Sequence, residues 1–199
     1  MNIIWHGHSC FEITGKDGTI VFDPYQANSV PGLNSLKLKA NLVLCSHEHD
    51  DHNARNCVEV APKDFKVTCI ETYHDHHQGS HRGKNTIHIV DFEDLKVVHM
   101  GDIGCMMDDV SKLKNCDVLM IPIGGYYTID TKEALKYIER IQPRIVIPMH
   151  YRSHEFGYDV LSTNEEFIQK SSNIVYVDDY LEVHKETKGQ TIVFKKPRN

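Results

Sequence analysis

The sequence predicts a mixed α/β or α+β fold, on three observations. Short runs rich in β-branched and aromatic residues recur along the chain. They dominate its first third. After about residue 100 they alternate with stretches at helical spacing, the pattern of sheet layers covered by helices.

In chain order, the strand-like runs cover 2–5, 9–14, 19–22, 42–46, 66–70, 86–92, 95–99, 117–121, 144–148, 174–177 and 190–194. The clearest helix is 131–141, "TKEALKYIERI", where Ala134, Leu135, Ile138 and Ile141 repeat at helical spacing. Asp130 and Glu133 stand at the positions of a capping box. Shorter helices are expected near 53–60, 107–114 and 164–171. No repeat of solenoid period is visible.

At 199 residues, without a Pro/Gly-rich linker or low-complexity tract, the chain is expected to form one domain over 1–199. A formal charge of −6 and the lack of a Lys/Arg block exclude nucleic acid from the expected partners. The start, "MNIIWHGHSCF", has no basic region followed by an apolar one, and no run reaches the ~18 apolar residues of a membrane span. A cytoplasmic location without a membrane partner is expected. Six cysteines stand singly, with no CxxC pair, and read as reduced thiols. The anomalous residue is histidine, present 14 times.

The densest cluster is "SHEHDDHN", residues 46–53, at the end of the apolar run "NLVLC". His47 and His49, two apart in an extended segment, point the same way. Asp51 and His52 follow where the chain is expected to turn into a helix. Nitrogen and carboxylate donors in this mixture suit zinc, manganese or iron. The alternative, an aspartate capping a helix beside solvated histidines, accounts for one aspartate and leaves the other polar residues unexplained. His74 follows "KVTCIETY", Asp102 follows "LKVVHMG" and His150 follows "RIVIPM", so each can converge on one sheet edge from a strand end.

Taken together, "WHGHSCFEI", "SHEHDDHN", "TYHDHHQG", "HMGDIG" and "PIGGYYTID…RIVIPMHY" resemble, in this order, the metallo-β-lactamase superfamily. More narrowly, they are similar to its compact metal-dependent hydrolases near the ascorbate-phosphate lactonases. The resemblance spans about residues 4–152 and implies a four-layer αββα sandwich with the site along one edge. It further implies two divalent ions, zinc foremost with manganese or iron as alternatives. His47, His49 and His74 would hold one, Asp51, His52 and His150 the other, and Asp102 would bridge both. Asp51, Asp102 and His8 are the implied catalytic residues. His8 would orient a ligand through a hydrogen bond, or serve only as a bonded histidine within the sheet.

Such a centre lowers the pKa of coordinated water from 15.7 to about 7. A metal-dependent hydrolase of small ester-like, lactone or phosphoester substrates is therefore expected. Two divalent ions outweigh the two aspartates and one hydroxide, so an anionic small molecule is the expected partner, with self-association left open. Two alternatives are an iron-dependent redox enzyme of dioxygenase type and a noncatalytic metal-binding or regulatory protein on the same fold.

The loop "HDHHQGSHRGKN", with His76, His77, His81, Arg82 and Lys84, is expected to be a flexible, solvated rim, with contact to a substrate anion as the alternative. Tyr126, Tyr127 and Tyr151 are either oxyanion donors or packing residues. His88 and His99 need only a backbone partner, and Cys105 reads as a small buried side chain.

Overall fold

Fourteen strands and two α-helices, both after the tenth strand, make up a computed structural model that describes residues 1–198. The strands are β1 (Asn2–Gly7), β2 (Cys10–Gly15), β3 (Gly18–Phe22), β4 (Leu38–Ala40), β5 (Leu42–Leu44), β6 (Val58–Val60), β7 (Lys66–Tyr73), β8 (Lys84–Phe92), β9 (Leu95–His99), β10 (Val118–Pro122), β11 (Ile145–Met149), β12 (Ile174–Val177), β13 (Tyr180–Glu182) and β14 (Gln190–Phe194). The helices are α1 (Thr131–Ile141) and α2 (Glu165–Lys170).

They assemble into a five-stranded sheet, β13-β1-β2-β3-β5, and a seven-stranded sheet, β12-β14-β11-β10-β9-β8-β7, with β4 and β6 as a separate ribbon. In the large sheet, β10 pairs in parallel with β9 and β11. Its sequence VLMIP and that of β11, IVIPM, are buried at every position, as parallel strands covered on both faces must be. The small sheet alternates instead. Phe11, Ile13, Ile20 and Phe22 join the core between the sheets, while Cys10 and Val21 point the other way onto Tyr25, Val30, Ala40 and Val58.

The capping box forms as read: Asp130 accepts the Glu133 N–H at 2.9 Å and Glu133 accepts the Asp130 N–H at 3.1 Å. The helix buries Ala134, Tyr137 and Ile141. α2 confirms the helix near 164–171. Two expectations fail. Residues 53–60 form only a 3₁₀ turn at Arg55–Cys57 before entering β6, because Val58 is drawn into the outer core and its strand pairs with β4. Residues 107–114 form only the 3₁₀ turn Ser111–Leu113, where the Asp109 carboxylate accepts from both the backbone and hydroxyl of Ser111. The outer layer over the small sheet is consequently a ribbon and a loop. Among the described residues no helix is long and apolar enough to cross a membrane.

Candidate metal centre

The β1–β2 turn and the ends of β3, β5, β7, β9 and β11 deliver polar side chains to one edge of the two sheets. From the small sheet comes His8, buried in the turn after β1 with a positive φ of 53°. Its carbonyl accepts from the Trp5 indole at 3.2 Å and from the His150 N–H at 3.4 Å. Asp23, fully buried just after β3, accepts three hydrogen bonds. They come from the Ser46 N–H and hydroxyl, each at 2.6 Å, and from His52 Nδ1 at 2.8 Å.

These bonds fix two ring orientations. An ionised carboxylate only accepts, so His52 Nδ1 carries a proton and Nε2 is the nitrogen turned toward Asp102. The Ser46 hydroxyl gives its proton to Asp23, so its oxygen accepts from His47 Nδ1 at 2.9 Å and frees His47 Nε2 in turn. Burial raises the pKa of Asp23, but the neighbouring His52 charge and hydrogen bond outweigh it and keep the carboxylate ionised.

From the large sheet come His74 after β7, Asp102 after β9 and His150 after β11, all buried. Asn85 sets Asp102 by accepting its N–H at 2.8 Å, while its amide donates to the Met100 carbonyl at 3.0 Å and to Thr72 Oγ1 at 2.9 Å. Gly101, at φ 55°, lets the backbone pass Ser46: a Cβ there would stand 2.4 Å from the Ser46 Cβ.

The groups converge. Asp102 Oδ2 lies 2.9 Å from His150 Nε2, 3.2 Å from His52 Nε2 and 3.5 Å from His74 Nε2. His47 lies 4.6 Å from both His49 and His74, ring centre to ring centre. His8 Nε2 lies 3.2 Å from Asp51 Oδ2. Three sets hold donor atoms within 4.8 Å of one another: His8, Asp51, His52 and His150; His47, His49 and His74; and His47, His52 and Asp102. All seven ligands implied by the resemblance are in one of these sets, and so is His8.

A divalent ion fits these residues. His47 Nε2, His150 Nδ1 and Asp102 Oδ1 are buried without a hydrogen-bond partner, and His52 Nε2 and His150 Nε2 meet only carboxylate oxygens that they crowd, a costly arrangement that coordination would resolve. Burial pushes His47 down to about 3 and lowers His74, so both present neutral lone pairs. His52 goes the other way: burial lowers it, but Asp102, Asp51 and Asp23 more than compensate. Asp102 is fully buried, yet His150 and His52 hold it ionised.

The model of the β-lactamase superfamily domain matches residues 2–150. The chain belongs to the β-lactamase superfamily. It is 28% identical over 193 residues to a UPF0173 metal-dependent hydrolase of Thermoplasma acidophilum, an alignment that covers 78% of this chain and 85% of the relative. A UPF0173 metal-dependent hydrolase of Staphylothermus marinus is 30% identical over 194 residues, covering 74% of this chain and 82% of the relative. The crystal structure of a metallo-β-lactamase superfamily protein from Thermotoga maritima superposes with a TM-score of 0.78 at 26% identity and covers 97% of each chain. The α/β metallo-β-lactamase fold implied by the motifs is thus the fold of this superfamily member.

Beside the cluster the superfamily chain has a pocket of about 330 Å³ whose walls include His49, Asp51, His74 and His150. Tyr127 and Tyr158 face it, whereas Tyr151 packs in the core, stacked on Trp5 at 5.8 Å. Tyr126 is 64% exposed. Sequence reasoning missed Tyr158, whose hydroxyl reaches Asp51 at 3.4 Å and Ser29 O at 2.7 Å, and Asp23, whose one visible signal is "FDP" at a strand end. His99 is structural: its Nε2 donates to Ser9 O at 2.9 Å and its Nδ1 accepts the Gly101 N–H. His88 differs from expectation, since its buried Nδ1 has no partner. Cys105 is half-buried and belongs to none of the three donor sets.

The loop after His74 is also more ordered in its bonding than a solvated rim. The buried Asp75 carboxylate accepts backbone N–H groups from His77 (2.7 Å), Gly79 (2.9 Å), His81 (3.0 Å) and Arg82 (2.8 Å). Burial raises the Asp75 pKa, and the four donors bring it below the ordinary carboxylate range.

Proposed function

We propose that this chain is a hydrolase that holds two divalent ions at the sheet edge and cleaves a small ester-like, lactone or phosphoester substrate. His47, His49 and His74 form one ligand set, Asp51, His52 and His150 the other, and Asp102 is shared. The observation that carries this reading is the convergence of buried imidazole nitrogens on one carboxylate, Asp102, at a pocket mouth. The names of the UPF0173 relatives support metal-dependent hydrolysis. The nitrogen and oxygen donors suit zinc, also suggested for the Thermotoga maritima protein, with manganese or iron as alternatives. The six free cysteines support a reducing, cytoplasmic setting.

When bound, the ions supply Lewis acidity and lower the pKa of water at neutral pH. The chain does the rest. Asp51, its side chain 17% exposed, is the site carboxylate open to the pocket, and its ionised oxygen can receive a proton from the attacking water. His8, pushed down to about 4 by burial, is neutral and orients Asp51 from behind. Burial raises the Tyr158 pKa, so its phenol stays a proton donor beside Asp51. Asp102, enclosed by three histidines, holds them in register.

The test is elemental analysis of protein purified without added metal, followed by turnover of ester, lactone and phosphodiester panels before and after chelation. Two ions per chain, with hydrolysis lost on chelation and regained on adding the same ion back, is the expected result. Full activity in thoroughly chelated protein sinks the proposal.

A further inference from the structure

The pocket has a second chemical feature besides the imidazoles. Arg82 lines it, with its guanidinium 5.1 Å from the centre of the Tyr127 ring and 5.7 Å from that of Tyr126. The backbone beneath is fixed by the Arg82 N–H bond to Asp75. The chain's other five arginines all bind an acceptor. Arg55 pairs with Glu48, Arg144 with Asp117 and Arg198 with Asp179, while Arg140 and Arg152 donate to the carbonyls of Met107 and Leu161. Among the described residues only the Arg82 guanidinium has no ion-pair or hydrogen-bond partner.

Three physical points follow. A guanidinium presents a rigid fork of donors that matches carboxylate or phosphate oxygens two at a time. Stacking on Tyr127 narrows its rotamers before any ligand arrives, so less entropy is lost on binding. No group of the described residues pairs with it, which leaves it open to an anion entering the pocket, a volume at the lower end of the roughly 300–1,000 Å³ typical of ligand sites.

We propose that Arg82 determines substrate specificity by binding an anionic carboxylate or phosphate group that the substrate carries apart from the bond being cleaved. This rests on the hydrolase reading for the identity of the reaction, but the anion contact itself does not.

The test uses the zinc-loaded chain and three 4-nitrophenyl esters of equal length, ending in a free carboxylate, a phosphate or an uncharged methyl ester. Wild type is expected to favour one of the anionic esters over the capped one by about tenfold or more in kcat/KM, mainly through KM. Arg82→Ala should collapse that ratio, and Arg82→Lys, which keeps charge without the fork, should restore part of it. Lys84→Ala, a cation already paired with Glu71 at 3.1 Å, should leave the ratio within about twofold. Whichever anion is preferred names the group. A preference that survives in Arg82→Ala, or none in wild type, overturns the proposal. If no ester turns over, the hydrolase reading is judged by its own chelation test and the anion contact by binding. Calorimetric titration of the same loaded proteins with adipate and inorganic phosphate still decides: at least tenfold weaker binding to Arg82→Ala supports the anion contact, and equal affinity refutes it.

Discussion

Asp23 accepts the Nδ1 proton of His52 at 2.8 Å and, through Ser46, sets the tautomer of His47 as well. One buried carboxylate thus orients a ring in each proposed ligand set. Replacing it by the isosteric Asn removes the charge and offers an acceptor on one side only. Asp23→Asn is expected to weaken metal affinity about 10- to 100-fold, read by competition with a chromogenic chelator. Wild-type affinity in that variant would show the three bonds to be structural only.

Asp102 touches His52, His74 and His150, so its loss affects both ligand sets. In Asp102→Ala the bound metal should fall to a minor fraction of the wild-type content and turnover to the background rate. Asp102→Asn, which keeps the shape, should retain more metal than the alanine variant. Mass spectrometry under non-denaturing conditions counts the ions directly, and a metal-replete, active Asp102→Ala protein contradicts the assignment.

Asp75 holds the following loop by four backbone bonds. Substitution by Ala leaves those amides to solvent. Hydrogen exchange at His77, Gly79, His81 and Arg82 should accelerate by about tenfold or more, while β10 and β11 keep their protection. Uniform acceleration across the molecule would instead mean that Asp75 supports the global fold.

His88 is buried within β8, and burial pushes its pKa down to about 4 from an ordinary 6.5. Between those values the unfolded chain binds a proton that the folded chain refuses. His88 therefore lends stability that is complete above pH 6.5 and lost as pH falls toward 4, an effect of at most about 3 kcal/mol. His88→Gln should show a shallower decline of melting temperature over that range than wild type, with both proteins metal-free. All other titrating groups act alike in the two, so parallel curves would refute the shift.

Much of this was legible in the sequence where side-chain chemistry is costly. Apolar runs such as VLMIP and IVIPM announce buried strands, and a histidine or aspartate directly after such a run has few structural reasons to be there. The helix α1 could be read from both its apolar spacing and its cap. The strands β4, β6 and β13, three residues each, are too short to show a period and exist because neighbours pair with them. Asp23 and Tyr158 act on partners 29 and 107 residues away, so local pattern says nothing of their roles. Asp75 and Arg82 sit in a tract where every residue looks solvated, and only the folded loop separates the anchor from the side chain it presents.

The donors are divided between the halves of the sandwich: His8, His47 and His52 hang from the small sheet, and His74, Asp102 and His150 from the large one. His49 and Asp51 also follow the small sheet, and each proposed ligand set draws at least one donor from each half. On the proposed assignment, capture of an ion would act as a proofreading step for tertiary assembly: a molecule whose two layers have slipped or failed to dock would stay empty, and a loaded one would be riveted along its open seam.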